Sequence, residues 1–293
     1  MFSVLLPVYN GGKWLPDAIN SVMQQTYEKF ECLVICNGCT DDSFNVAVEA
    51  AGDDPRFSVY QLDIPNKANA LNFGVYKSKN GWIAPIDADD AWLPEKLQKQ
   101  HDFISQNPEV DIVSCQMTYV GTLNCEAPRN PLENKKIHWC FSRGKNPISF
   151  PASAYKKDVH FRGVGLYNTS NLVIEDYDFW QRCKQKGMVM ANLPDNLAVH
   201  RIHGKELNKV STSVDEGGKE GWSFHGTSKT EYRQQLVKLL VDSWYIDWDI
   251  EEHGPYPTYW GVISNIREFD AAFDLGPGTP VNSTDLEKED KDV

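Results

Sequence analysis

The stretch IAPIDADDAW, residues 83–92, decides how the rest of the chain is read. An apolar run from Trp82 to Ile86 stops abruptly at Asp87, Asp89 and Asp90. Trp92 and Leu93 follow, and Pro94 opens a helical pattern. A buried strand ending in clustered acid puts negative charge at the carboxyl edge of a sheet, where ligands of open α/β sheets bind. Carboxylates this close raise one another's pKa unless a cation neutralises them. Hard oxygen donors suit Mg2+ or Mn2+, which share a few carboxylates with substrate phosphates. The competing reading is a solvated acidic turn that caps a helix, and these ten residues alone do not choose between the two.

Working outward, short apolar runs alternate with helical patterns. Strands are expected at Ser3–Val8, Phe30–Cys36, Phe57–Leu62, Trp82–Ile86 and Asp111–Tyr119. Helices are expected near 13–25, after Thr40 or Asp41, within 66–79 and at 93–106. Such alternation implies a parallel sheet covered on both faces. The ends of strands one, two and four then share an edge, and Tyr9, Asn37 and the acidic cluster converge there. Residues 120–150, punctuated by Pro128, Pro131 and Pro147, read as a long loop. A short strand is expected at 152–155 and another at 197–202. Between them, VIEDYDFWQRCKQKG (173–187) has acid early, base late and Gly187 last, the order that a helix dipole and C-cap favour. On that reading alone it is simply a well-capped helix.

Composition bounds the function. The 293 residues allow one large α/β domain or two smaller ones, and a net charge of −12 argues against a nucleic-acid footprint. No stretch approaches the length of a membrane span, and the first residues read as a strand rather than a signal peptide. The seven scattered cysteines are expected to be free thiols in a reducing cytosol, giving a cytoplasmic location. Residues 205–228 are polar and read as a connection. Helical patterns at 229–246 and 259–273 form an expected extension over 206–274, and 275–293 should be a disordered acidic tail.

Three separated segments, SVLLPVYNGGKWLPDAINSVMQQTYEKFECLVICNGCTDDS (3–43), NALNFGVYKSKNGWIAPIDADDAWLPEKL (69–97) and EDYDFWQR (175–182), together resemble the family 2 glycosyltransferases. The resemblance spans roughly residues 1–205. It implies a GT-A-like α/β fold: a mostly parallel central sheet with helices on both faces, joined here to the helical C-terminal extension. Residues 1–110 would be the nucleotide-sugar-binding half, and 111–205 the acceptor half carrying the catalytic base. Pro7, Val8 and Tyr9 would line the base pocket, with Asn69 nearby on the donor side. The family's acidic DDGS pattern is replaced by Cys36-Asn37-Gly38-Cys39, leaving the uncharged Asn37 for base or ribose contact. Asp87 and Asp89 match the DxD motif for ribose and metal–pyrophosphate contact. Asp176 maps to the base, Glu175 and Asp178 are its neighbours, and His203 of an Arg-x-His sequence would complete a metal shell. The implied reaction moves a sugar, from a UDP-sugar first, to a glycan, lipid-linked or protein hydroxyl with inversion, assisted by Mn2+ or Mg2+.

Three alternatives stand beside it. Cys36-x-x-Cys39 has the spacing of a thiol redox motif, but no second ligand pair for zinc is near in sequence. Asn10-Gly11-Gly12 is not the GxGxxG of a dinucleotide-binding turn. A glycosyltransferase-like binding protein without activity fits the Asn37 substitution.

Overall fold

A computed structural model describes residues 1–121, 124–170 and 174–203, with the backbone of 211–214 and 220–223. The chain runs β1 (Phe2–Val8), α1 (Leu15–Met23), β2 (Phe30–Asn37), α2 (Ser43–Ala51), β3 (Phe57–Leu62), α3 (Lys67–Lys77) and β4 (Trp82–Pro85). It continues with β5 (Ala91–Trp92), α4 (Lys96–Gln106), β6 (Ile112–Gly121), β7 (Cys125–Glu126), α5 (Asn134–Phe141), β8 (Ala154–Lys156), α6 (Glu175–Gln185) and β9 (Met190–Ile202). The last two elements, β10 (Ser211–Val214) and β11 (Glu220–Ser223), pair antiparallel inside the expected connection. The expected helices at 229–246 and 259–273 and the acidic tail lie outside the described residues.

One mixed sheet has the order β3-β2-β1-β4-β8-β6-β9-β5, with β7 on β6. Strands β3, β2, β1 and β4 are parallel, as βαβ units require. β8 runs antiparallel between β4 and β6, β6 and β9 are parallel, and β5 runs antiparallel to β9. The side-chain period of two sorts β1 between two cores. Phe2, Val4, Leu6 and Val8 pack with Leu15, Ile19 and Val22 of α1 and Leu97 of α4. Leu5 points the other way, to Leu71 and Phe73 of α3, in the core that also holds Phe179 and Trp180 of α6. Burying each such side chain contributes about 1.5–3 kcal/mol.

Three expectations need correction. Residues 91–92 form strand β5 rather than leading into a helix, so α4 begins at Lys96 and the acids occupy the turn between β4 and β5. The expected loop over 120–150 contains α5, anchored by buried Ile137 and Phe141 one turn apart. With charged residues around that pair, the helical period is too short to read. Finally, β9 extends seven residues ahead of the expected 197–202, beginning at Met190. Pro194 and Asp195 interrupt its apolar pattern and mask its length.

Candidate active site

The carboxyl ends of β1, β2 and β4 share one edge, fixed by the parallel register Val8↔Cys36 and Leu5↔Pro85. Beyond them the chain makes the turns that carry polar side chains. Gly11 after β1 lies so close to the acid turn that a Cβ there would stand 3.3 Å from Cβ of Ala88. The small residue between Asp87 and Asp89 therefore packs against a glycine, and the two turns touch.

The three acids of the turn point to three different partners. Asp87 Oδ1 accepts a 2.7 Å ion pair from Lys67 Nζ, and the same ammonium lies 3.0 Å from Glu175 Oε1. Lys67 also sits over the Phe150 ring. Burial alone would depress its pKa, but Asp87 and Glu175 outweigh that and hold it well above the ordinary lysine value. Asp89 Oδ2 lies 3.0 Å from His203 Nε2, and its carbonyl accepts from Arg201 Nε. Asp90 faces inward at 1% exposure, accepting from His200 Nδ1 at 3.0 Å and Arg201 N at 2.9 Å. Burial pushes Asp90 up to about 6. His200 resists burial through its bond to Asp90 and the acids around it, and rises to about 9. Asp90 thus holds the end of β9 so that Arg201 and His203 face the turn.

Glu175 and Asp176 open α6, where the positive end of the helix dipole favours them. Lys67 opens α3, where the same dipole disfavours it, and the acids across the site compensate. The two helix N-termini thus meet at the acid turn through one lysine. Burial, reinforced by the charge of Glu175, raises Asp176 to about 7. Its Oδ2 accepts from Asn146 Nδ2 at 3.3 Å. Asp178 instead pairs with Arg182 on its own helix, at 2.8 Å.

The remaining predicted residues divide. Pro7 and Val8 are buried strand positions, and Tyr9 is 45% exposed at the site's edge. Asn37 is buried, and its amide is tied into the fold: Nδ2 donates to Val8 O at 2.7 Å, and Oδ1 accepts from Asn66 N at 3.0 Å. It ties the end of β1 to the start of α3, which leaves one amide hydrogen and one carbonyl lone pair uncommitted. Asn69 Oδ1 is buried with no hydrogen-bond partner among the described residues, an acceptor left over at the first turn of α3. Lys67 was missed in the sequence. Its signal was a cation at the first position of a helix, where the dipole is unfavourable.

A metal has partial provision here. Among the described residues, no three His, Cys, Asp or Glu side chains converge on one point. Asp89 and His203 do meet, and two protein donors with waters and a diphosphate suit a hard divalent ion. Asp87, expected as a third ligand, is turned to Lys67 instead.

Residues 3–161 match the model of glycosyl transferase family 2. The chain belongs to this family. Among its relatives, the O-antigen biosynthesis glycosyltransferase WbnJ of Escherichia coli is 31% identical over 226 residues, covering 74% of this chain and 85% of WbnJ. The amylovoran biosynthesis glycosyltransferase AmsE of Erwinia amylovora is 31% identical over 241 residues, covering 81% and 86%. Staphylococcus aureus TarS 1–349, solved with UDP-GlcNAc, superposes with a TM-score of 0.60 at 17% identity, over 92% of this chain and 81% of that one. The mannosyltransferase PcManGT of Pyrobaculum calidifontis, solved with GDP-Man and Mn2+, gives 0.54 at 19% identity, over 70% and 57%. This family 2 member therefore has the expected GT-A-like fold, a mixed sheet with helices on both faces. Among the described residues no helix is long and apolar enough to cross a membrane.

Proposed function

We propose that this family 2 glycosyltransferase moves a sugar from a nucleoside-diphosphate donor, a UDP-sugar first, to an acceptor hydroxyl with inversion, and that Asp176 is the base. The observation that carries the reading is the charge chain Asp87–Lys67–Glu175, which joins the donor edge of the sheet to the start of α6, beside a carboxyl raised to about 7. A base poised near neutral pH suits removal of a hydroxyl proton as the bond to carbon forms. The acceptor oxygen attacks the anomeric carbon, the bond to the diphosphate oxygen breaks, and Asp176 takes the proton. Lys67 orients the acids by pairing with two of them. Asp89 and His203 would hold Mn2+ or Mg2+, which when bound neutralises charge on the departing diphosphate. Asn37 is a positioning residue, since it fixes the start of α3 where Lys67 stands. Relatives that build O-antigen and amylovoran support a glycan acceptor.

Calorimetry with UDP, GDP and other nucleoside diphosphates, with and without Mn2+, tests the donor side. Metal-dependent binding is expected, weakened roughly a hundredfold in Asp89→Ala because the ligand pair is broken. If nucleotide binds but no donor releases nucleoside diphosphate, the protein is a nucleotide-sugar-binding relative without transfer activity.

A further inference from the structure

The turn after β2 carries a thiol pair where the family resemblance leads one to expect carboxylates. Cys36 is the last buried residue of β2 before Asn37, with no exposed surface, and Cys39 is partly exposed. Cys36 is the register partner of Val8, the residue whose carbonyl Cys39 Sγ reaches, so the two thiols stand side by side at the end of β2. As a thiol, Cys39 donates to Val8 O at 3.4 Å. As a thiolate it would be met by two donors, the Cys36 thiol and the backbone N–H of Asn10. These donors hold Cys39 below the ordinary thiol range, and the same pairing with burial drives Cys36 above it.

The turn between them has little freedom. Gly38 has φ +63°, and a Cβ there would come within 2.5 Å of Pro65 N. Asn37 is bonded at both ends of its amide. The two sulfurs are therefore held together by the backbone rather than meeting by chance. A third ligand that would make a soft-metal site is missing among the described residues. One accessible, acidified thiol beside one buried, protonated thiol is the division between an attacking and a resolving cysteine.

We propose that Cys36 and Cys39 form a redox-responsive pair, closed to a disulfide by small-molecule disulfides of the glutathione type. The Cys39 thiolate attacks one sulfur of the oxidant, whose S–S bond breaks to release one thiol. Cys36 gives its proton to solvent and attacks Cys39 sulfur, expelling the second thiol. Two protein thiols lose two hydrogens and one small disulfide becomes two thiols. Because Cys39 then gives up its contacts to Val8 O and Asn10 N, closure loosens the end of β1. That last effect rests on reading this edge as the nucleotide pocket.

The test uses the full chain in graded mixtures of oxidised and reduced glutathione, with peptide masses mapped without reduction. A Cys36–Cys39 disulfide is expected in the wild type. Cys36→Ser, or Cys36→Ala if the serine variant fails to fold, should stop at the Cys39–glutathione mixed disulfide. Cys39→Ser should leave Cys36 unmodified. The proposal is overturned if both sulfurs stay reduced in mixtures that fully modify the exposed Cys125, or if Cys36 is modified without Cys39. Nucleoside-diphosphate affinity, measured on the reduced and closed forms, reads the pocket separately: a fall of roughly tenfold on closure is expected. An unchanged affinity would remove the coupling to the pocket and leave the disulfide standing. Absence of nucleotide binding in the reduced protein would instead sink the donor-pocket reading.

Discussion

The two sides of the sheet are built by different rules. From β1 to β3, each strand is followed by its own helix and pairs in parallel with its neighbour in sequence, and β4 then joins the free side of β1. From β6 to β9 the neighbours come from far along the chain, with β8 inserted antiparallel and β9 bulged opposite Gln116. The first side offers backbone ends and fixed charges at one edge. The second supplies the adjustable groups: Asn146, the start of α6, and the Arg201–His203 end of β9. Local units hold the edge that ends in the acid turn, and long-range pairings bring up the groups that face it.

Four experiments would break or sharpen that contrast. Asp176→Asn removes a proton acceptor from the second side and leaves the ion pairs of Lys67 with Asp87 and Glu175 in place. Transfer should fall roughly 10²–10⁴-fold with nucleoside-diphosphate affinity unchanged, and normal turnover would remove the base assignment. Wild-type turnover should fall as pH drops through about 7, where the Asp176 carboxyl takes up the proton that disables it.

Lowering pH probes the second side's core directly. His160 lies buried among Tyr155, Tyr167 and Phe179, and burial depresses its pKa to about 4. The unfolded chain therefore binds more protons than the folded one between about 6.5 and 4, so stability is present above that window and lost as pH falls through it. Denaturant melts should register up to about 3 kcal/mol of loss by pH 4. A His160→Asn variant whose pH dependence matched wild type would exclude this histidine as the source.

Lys67→Ala cuts the connection between the two sides. With Lys67 a quarter exposed, the loss in chemical denaturation should be about 1–2 kcal/mol. The acidic limb of the pH–rate profile should also move upward, because Lys67 lowers the Asp176 pKa. A limb that stays in place would mean that the two ends of the site act independently. The smallest effect is expected at Trp139, half exposed on α5 with Arg143 stacked on its ring. Trp139→Ala should alter stability by no more than about 0.5 kcal/mol, and a larger loss would show that α5 leans on it.

Legibility in the sequence follows the same contrast. The first four strands and three helices were readable because period, turn residues and local pairing agree there. The edge that gathers Tyr9, Asn37 and the acids followed from parallel topology alone. Beyond residue 110 the partners are distant, so α5 and the first half of β9 left no adequate periodic signal. Asn37 and Lys67 illustrate the remaining limit. Residue type suggested that Asn37 was free for a ligand, whereas a tertiary contact between β1 and α3 occupies it. Lys67 was not singled out, because the two carboxylates that close on it lie far along the chain. Only the fold could assign the three acids of the turn, since neighbouring side chains on a tight turn diverge.

The two-residue strand β5 has a mechanical consequence. It is the next strand after β4 in the chain, yet β8, β6 and β9 lie between them in the sheet. On a flat sheet four strand spacings amount to about 19 Å. The six peptide units from Pro85 to Ala91 reach only about 20 Å when pulled straight, and these are folded back by the bond from Asp90 N to Asp87 O. The span closes only if the sheet rolls up, as the irregular pairing of β6 with β9 permits. The acid turn is therefore the short link that the rolled sheet closes over, and the curl of the sheet brings β9's end within reach of its carboxylates.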